Sequence, residues 1–383
     1  MPKPTILVIG LGHLGGVTLE LLARQEWVGR VIGSSRDSER GAARCNLARL
    51  GAMAQGYPGE IEFVQLDLRD VDQVAESIRR LEPDLVLSTA SPQTWWLPEL
   101  LPPEAAARLS KARFGAWLPI HLTLNLDLMR AVKASEYPGP VLTAPYPDVV
   151  NCVLDRLEMA PTCGVGNIDE IVPKLRWLAA RSLQVPASEV EVTLVAHHAL
   201  QKAVFRSPHD EAPQAVPPFY LVIDHLGEDV TDEVGGRDLL LEPFPLPGGP
   251  AWGFLTSGST VRLVEAFLSN EDASLHAPSP GGLPGGYPVV VGNGLIRPRP
   301  LPDLSLGEAV QINERSHPFD GIHAIEEDGT TIFEPVTVQV LRDELGYDCE
   351  RLLPHEAAER SRELVARFRE YAQSWGVDLE QQR

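Results

Sequence analysis

The chain has 383 residues, of which 44% are hydrophobic and 22% are charged, and its formal net charge is −20. This length predicts two domains or one large, elaborated domain, and the composition is typical of globular proteins in water. The negative charge argues against non-specific binding to nucleic acid or to an anionic membrane. We find no apolar run of transmembrane length, no signal peptide and no paired cysteine spacing, so we expect a cytoplasmic protein with four reduced cysteines.

The first motif lies near the N-terminus, where a predicted strand at residues 5–9 runs into glycines and then into a predicted helix at residues 17–25. The intervening G-L-G-H-L-G matches the G-x-G-x-x-G fingerprint of dinucleotide-binding turns, and the flanking strand and helix make the match specific. Such a turn sets a pyrophosphate at a helix N-terminus. The residues predicted to bind the cofactor here are Gly10, Gly12, His13, Leu14 and Gly15.

The second predicted strand, residues 28–34, ends where the ribose of a dinucleotide would be recognised. NAD-preferring domains usually place an acidic residue at this point, whereas this chain has Ser34, Ser35 and Arg36. Hydroxyls and a guanidinium suit a 2′-phosphate, so we predict NADP as the cofactor. NAD stays open as the alternative, because Asp37 follows immediately and could hold a 2′-hydroxyl.

Helices and strands then alternate along the chain. The predicted helices cover residues 41–54, 71–81 and 120–135, and the predicted strands cover residues 61–66, 85–89 and 140–143. This alternation predicts an α/β fold with a doubly wound parallel sheet, forming a dinucleotide-binding domain over residues 1–147. Ligands lie at the carboxyl ends of such strands, so we expect Asp67 near the adenine and Thr89, Ala90 and Ser91 near the nicotinamide side.

Residues 92–119 form an unusually long connection that contains several aromatic and basic residues. Long connections are often functional. We interpret this one as a lid that brings a cation such as Arg113 to the substrate, and an elaborated surface helix is the open alternative.

After Asp148 the pattern predicts a second, α+β domain for the substrate over residues 148–316. Its predicted helices cover residues 149–158, 169–183 and 259–270, and its predicted strands cover residues 190–196, 219–224, 238–241, 288–291 and 295–298. Residues 317–383 form a C-terminal extension that we expect to pack on the second domain. Within it we predict a D-G hairpin between strands 322–325 and 331–333, followed by helices at residues 336–344 and 355–371.

Asp169 and His198 are the candidate catalytic pair. Asp169 begins a predicted helix and His198 ends the next predicted strand, so neighbouring elements could bring the two together. A carboxylate on one ring nitrogen would stabilise the imidazolium, while the other nitrogen exchanges a proton with a carbonyl or alcohol oxygen. By spacing alone, a capping aspartate and a solvated histidine remain the alternative. The other histidines lack metal-ligand spacing, so we expect no metal.

These motifs together resemble the lactate/malate dehydrogenase superfamily, from the glycine turn to about Ser316. The likeness is greatest over G-V-G-N-I-D at residues 164–169 and over residues 190–198, where A-H-H-A stands in place of the family's G-E-H-G. Residues 256–270, 287–294 and 304–316 are similar to later segments of the family, and Ser-Ser-Arg is similar to its NADP-preferring branch. The resemblance implies a two-domain enzyme in which His198 exchanges the proton and Asp169 orients it.

The chain departs from the family at three places. Val172 stands where the family has the arginine that clamps the substrate carboxylate, and the segment before Asp148 replaces the family's Asn-Pro-x-Asp. The arginine of the family's mobile loop has no clean counterpart. We therefore expect a larger substrate than lactate or malate, anchored differently. The candidate anchors are Arg108, Arg113, Lys174, Arg176, Arg206, Thr256, Ser257 and Ser259.

Taken together, the sequence predicts an NADP-dependent oxidoreductase that transfers hydride between nicotinamide and the carbonyl or alcohol carbon of a small functionalised metabolite. Two alternatives stay open: an opine-type enzyme that reduces an imine, and a non-catalytic NADP-binding sensor that kept the fold without the arginine clamp. By analogy with the superfamily we expect a homo-oligomer, a dimer or a tetramer.

Overall fold

The structure, a computed structural model, describes residues 3–209 and 213–379. Its first sheet consists of β1 (Thr5–Ile9), β2 (Arg30–Ser35), β3 (Glu60–Gln65), β4 (Leu85–Ser88), β5 (Val141–Thr143) and β6 (Cys163–Gly164). All neighbouring strands are parallel, in the order β3-β2-β1-β4-β5-β6. The central strands are buried on both faces, which explains their unbroken apolar runs. This topology confirms the predicted doubly wound α/β fold.

Helices cover both faces of this sheet. They are α1 (His13–Leu22), α2 (Ser38–Ala54), α3 (Val71–Leu81), α4 (Pro103–Leu109), α5 (Leu118–Ser135) and α6 (Pro147–Arg156). Helix α3 shows how local sequence sets an element, because the Asp70 carboxylate accepts the Gln73 N–H at 3.1 Å and caps the helix. Val74, Ile78 and Leu81 then recur at helical spacing and are buried against the sheet.

A second unit follows, with an antiparallel sheet in the order β10-β11-β7-β8-β9 and with β12 paired to β11. Its strands are β7 (Val190–Ala196), β8 (Phe219–His225), β9 (Glu228–Asp229), β10 (Ala273–Pro278), β11 (Gly286–Gly292) and β12 (Leu295–Pro298). Its helices are α7 (Ile168–Leu183), α8 (Gln201–Val204), α9 (Gly236–Leu241), α10 (Gly253–Leu268) and α11 (Leu306–Glu314). This agrees with the predicted α+β character of the second domain.

The structure differs from the predictions at three places. Residues 238–241 belong to helix α9, because short apolar runs do not distinguish a strand from a buried helix. Strand β10 was not predicted, although it pairs along its whole length with β11. The first sheet also continues to Gly164 through β6, so the predicted boundary at residue 147 falls too early.

The C-terminal extension contains β13 (Ile322–Ile325), β14 (Thr331–Phe333), α12 (Pro335–Leu345), β15 (Arg351–Leu352) and α13 (Ala357–Ser374). It packs on the first domain, contrary to the expectation that it would lie on the second. The reason is that apolar side chains of α13 continue the core around α5: the rings of Phe368 and Trp117 lie 5.2 Å apart, edge to face. Within the described residues, no helix combines the length and apolar character needed to cross a bilayer.

Candidate active site

The glycine turn between β1 and α1 is built so that two of its positions accept only glycine. Gly10 has φ of +97°, and a Cβ atom there would lie 2.6 Å from the backbone nitrogen of Ala90. A Cβ atom on Gly15 would lie 1.9 Å from the Gly10 oxygen and 2.5 Å from the Thr89 Oγ1. The turn is therefore pressed against the end of β4, and Thr89 donates its hydroxyl to the Gly10 carbonyl at 2.6 Å.

Gly12 has the opposite environment. It is the N-cap of α1, and a Cβ atom placed on it would meet no atom of the described residues within 4 Å. The first N–H groups of a helix have no partner within the helix and attract an anion. Open space in front of these groups is what a pyrophosphate requires, so the turn fits a dinucleotide. Beside it, His13 and Leu14 lie against α10, where Ser257 donates to the Leu14 carbonyl at 3.4 Å.

At the end of β2, the predicted ribose site is only partly available. Ser34 is fully buried, so its hydroxyl does not face the surface, and its predicted role in binding a 2′-phosphate was wrong. Ser35 donates to the Asp37 carbonyl at 2.7 Å. The Asp37 carboxylate caps α2 by accepting the Arg40 N–H at 3.0 Å, while Arg36 is exposed. Both residues are exposed, but one oxygen of the Asp37 carboxylate is engaged in the cap.

At the end of β3, Asp67 is held by the neighbouring Arg69. The guanidinium Nε lies 2.9 Å from one carboxylate oxygen and 3.1 Å from the other. The hydrogen bonds from Arg69 lower the pKa of Asp67, so this carboxylate stays charged. The pair borders an open groove of about 610 Å³ at the predicted adenine end of the sheet.

The strand ends lead to a buried aromatic cluster. Ser91, just past β4, lies with its hydroxyl 3.4 Å from Nδ1 of His121 on α5. Phe114 stacks on His121 at 5.4 Å, and its edge meets the His198 ring, also at 5.4 Å. Burial, together with the charge of His198, lowers the pKa of His121 to about 4, so His121 is neutral at ordinary pH. The cluster connects the carboxyl end of β4, where the sequence predicts the nicotinamide side, to His198.

His198 lies between two buried carboxylates. Its Nδ1 is 3.6 Å from the Asp148 Oδ2, and its Nε2 is 3.2 Å from the Asp320 Oδ1. The backbone N–H of His198 also donates to Asp148 at 2.7 Å. The other Asp148 oxygen accepts the Asn167 amide at 2.8 Å, and the hydroxyl of Tyr146 donates to Asp320. The ring is only 11% exposed, so its charge is set by these neighbours.

The two carboxylates decide the protonation state of this histidine. Burial by itself would lower the pKa of His198, but Asp320 and Asp148 more than offset that effect and raise the pKa to about 10. The pKa of Asp148 is lowered, because contacts with His198 outweigh the effect of burial. A pKa of about 10 makes His198 an imidazolium at neutral pH, with the Asp148 Oδ2 3.6 Å from its Nδ1 and the Asp320 Oδ1 3.2 Å from its Nε2.

Comparison with known proteins supplies the fold. No protein-family model and no curated protein matches the sequence. Among solved structures, the lactate dehydrogenase of Eimeria maxima with NADH and oxamate matches at 14% identity and a TM-score of 0.55, covering 82% of this chain and 91% of its own. The malate dehydrogenase of Cryptosporidium parvum matches at 15% identity and a TM-score of 0.51, covering 83% of this chain and 96% of its own. The chain has the lactate/malate dehydrogenase fold.

Within this dehydrogenase fold, the predicted pairing of Asp169 with His198 is not formed. Asp169 accepts the Ser259 hydroxyl of α10 at 2.6 Å, and the positive charges that act on it are those of Arg262 and Arg176. The carboxylates that contact His198 come from α6 and from the C-terminal extension instead. The physical reason is that Asp169, near the start of α7, faces α10 rather than the turn after β7.

The predicted substrate anchors are mostly engaged inside the protein. Ser257 is buried between α10 and α1, where its hydroxyl lies 2.9 Å from that of Thr18, so its predicted contact with substrate was wrong. Lys174 donates to three backbone carbonyls at 2.7–2.8 Å. Arg113 is exposed and has φ of +67°, an unusual value for a residue with a side chain, and it directly precedes Phe114.

Three members of the site have the spacing of metal ligands. One donor atom from each of Asp148, His197 and His198 lies within 4.8 Å of the others. The Nδ1 atom of His197 accepts the Ala199 N–H at 3.2 Å, which assigns its proton to Nε2. Both oxygens of Asp148 already accept N–H groups. The expectation that no metal binds here stays a prediction.

The sequence reasoning missed Asp148, Asp320 and Tyr146 as neighbours of His198. Asp148 and Tyr146 lie in the segment that replaces the family's Asn-Pro-x-Asp, so that departure was the available signal. Asp320 lies beyond the end of the resemblance, and no local pattern around it indicated a role. Glu170 was missed as well: it is buried and accepts hydrogen bonds from Trp252 at 2.9 Å and from Gln201 at 2.6 Å.

Proposed function

We propose that this protein is an oxidoreductase that uses a nicotinamide dinucleotide and acts on a carbonyl or alcohol carbon of a small functionalised metabolite. The observation that carries the proposal is the position of His198, whose ring nitrogens lie 3.6 Å from Asp148 and 3.2 Å from Asp320, beside the strand ends of the parallel sheet. A bound nicotinamide would supply or accept the hydride. The Nδ1 proton of His198 is the one proposed to move, because Nδ1 lies 3.6 Å from Asp148 whereas Nε2 lies 3.2 Å from Asp320. It would go to the oxygen of the substrate during reduction and return during oxidation.

The residues proposed to hold the cofactor follow from the glycine turn. Gly12 leaves room for the pyrophosphate, and the N-terminus of α1 faces it. Ala90 and Ser91 would border the nicotinamide end, since ligands of this sheet type lie at the carboxyl ends of its strands. The structural neighbours bear NADH or NAD in several solved forms, so binding of some nicotinamide dinucleotide is consistent with the fold.

We propose NADP rather than NAD on the basis of the β2 end. Arg36 is exposed there, and an arginine recognises a phosphate through planar, charged donors. Asp37 is occupied as the cap of α2, which reduces its ability to accept a ribose 2′-hydroxyl. The NAD-bound neighbours favour the other cofactor, and a direct titration distinguishes the two.

The proposed substrate is not a simple 2-oxo acid. Val172, at the position of the family's carboxylate-clamping arginine, is buried and apolar. The ammonium of Lys174 donates its hydrogen bonds to three backbone carbonyls. Arg113 is exposed and directly precedes Phe114, whose ring contacts His198. We propose that Arg113 is the cation that contacts substrate.

A titration with NADPH and NADH, followed by protein fluorescence, tests cofactor binding first. We expect binding of NADPH at lower concentration than NADH, and binding of neither would exclude the proposal. A screen of aldehydes and ketones with the preferred cofactor then tests turnover. His198→Gln should abolish turnover while cofactor binding survives, and His355→Gln, at an exposed histidine of the extension, serves as the matched control.

The pH dependence follows from the charge of His198. Because its pKa is raised to about 10, reduction should proceed at a constant kcat/KM across neutral pH and fall only as pH rises through this value. Oxidation should show the opposite trend, rising with pH as the unprotonated ring becomes available. A reductive profile that falls near the ordinary histidine pKa would contradict the assigned role of the two carboxylates.

A further inference from the structure

One carboxylate of the C-terminal extension, that of Asp320, contacts the catalytic site proposed above. Asp320 ends the short helical turn His317–Asp320 and is 1% exposed. Its Oδ1 lies 3.2 Å from His198 Nε2, and its Oδ2 accepts the hydroxyl of Tyr146, which follows β5. A carboxylate buried this deeply persists only when charge and hydrogen bonds compensate its lost hydration. Both of its oxygens face the site, so its partners belong to the first domain and to the turn after β7.

The extension is also fixed against the long connection that covers the site. A Cβ atom on Gly115 would lie 2.4 Å from the Asp320 carbonyl, so the two backbones are in direct contact. Thr337 of α12 donates its hydroxyl to the Ala112 carbonyl at 2.9 Å. Between these two contacts lies Phe114, whose ring meets His198. The position of Asp320 is therefore determined by packing on both sides.

We propose that Asp320 is the positioning carboxylate of His198, so that the C-terminal extension is part of the active site. This inference rests on the proposed function, because it assigns a role within that reaction. Asp320 orients the ring through Nε2 and favours its charged form, which is the task that the sequence reasoning gave to Asp169. Asp169 cannot perform it from its place beside Ser259.

Other charged or titratable groups also act on the His198 ring and must be separated from Asp320. They are Asp148 and Tyr146 of the α6 start, His121 of α5, His197 of the β7 end and His317 of the extension. The three histidines have lowered pKa values because they are buried, so they are neutral at ordinary pH. Among the described residues, Asp148 is the only carboxylate besides Asp320 that forms an ion pair with the His198 ring.

Nuclear magnetic resonance of the full-length protein with isotope-labelled histidine tests the proposal without substrate or cofactor. The His198 signal is assigned from its loss in His198→Gln, and its pKa is measured in Asp320→Asn and in Asp169→Asn. We expect Asp320→Asn to lower this pKa by about one pH unit or more, a tenfold loss of proton affinity, and Asp169→Asn to leave it unchanged. An unchanged pKa in Asp320→Asn would overturn the proposal.

Kinetics supplies the second readout. Asp320→Asn should reduce kcat and move the reductive pH profile to lower pH, while the dissociation constant of the cofactor stays the same. A lowered pKa with unaltered kcat would also overturn the positioning role. If Asp320→Asn fails to fold, Asp320→Glu moves the charge by one methylene and should still change the pKa; no change would again refute the proposal. Lack of any turnover in the unaltered protein refutes the proposed function instead, whatever the pKa values.

Discussion

Glu170 provides a direct test of the structure through the pH dependence of stability. Its carboxylate is buried at the start of α7 and accepts hydrogen bonds from the Thr256 hydroxyl, the Trp252 indole and the Gln201 amide. Burial outweighs these three bonds and raises the pKa of Glu170 from 4.5 to about 7. Glutamine has nearly the same shape and its amide oxygen can accept the indole N–H, so Glu170→Gln removes the titration with little change in packing.

The sign of the effect follows from proton linkage. Between pH 4.5 and about 7, the native state holds a proton that the unfolded chain has already lost, so stability falls as pH rises through this window. Above this window Glu170 is ionised in both the native and the unfolded state, and the native state carries the full free-energy cost of its buried charge. The difference between 4.5 and about 7, at about 1.36 kcal/mol for each pH unit, corresponds to about 3 kcal/mol.

Urea unfolding of the two proteins at several pH values measures this difference. The free energy of unfolding of Glu170→Gln, relative to the unaltered chain, should rise by about 3 kcal/mol between pH 4.5 and about pH 8. Glu39→Gln, at an exposed glutamate of α2, should show no such trend. If the relative stability of Glu170→Gln is independent of pH, this carboxylate is not buried as described and the reasoning fails.

Three further predictions concern glycine and lysine positions. Gly12→Ala fills the open space at the α1 N-terminus, so it should weaken dinucleotide binding about tenfold or more, about 1.4 kcal/mol, without lowering Tm. Gly15→Ala forces a Cβ atom against the Gly10 carbonyl and should destabilise the fold by about 1–3 kcal/mol; equal Tm values would contradict the close packing. Lys174→Met leaves three backbone carbonyls unpaired, each costing about 1–3 kcal/mol, and urea unfolding should show the combined loss.

Elements with strong local signals were predicted well from the sequence. Helix α3 was predicted with both of its ends, and its buried residues recur at helical spacing. Strands β7, β13 and β14 were also predicted within their observed bounds, since alternating residues or a D-G turn define them locally. The G-x-G-x-x-G fingerprint indicated the turn whose close approach to β4 the structure shows.

The candidate site was predicted less completely, because its contacts join distant parts of the chain. Ser34 looked like a ribose ligand from its position at a strand end, but in a sheet covered on both faces its side chain is buried. Asp169 looked like the partner of His198 from spacing and resemblance, yet it bonds to Ser259 of α10. In each case the residue type suggested a role, and the direction of the side chain decided against it.

By itself the sequence determined the α/β architecture and the glycine turn after β1, since periodicity and glycine spacing are local properties, and it indicated His198 as a candidate catalytic residue. Only the tertiary structure decided which carboxylates contact His198. Asp148 lies 50 residues before it in the sequence, and Asp320 arrives from an extension that packs on the first domain. Coulombic interaction depends on distance in space and on burial, and neither is encoded in the spacing of residues along the chain.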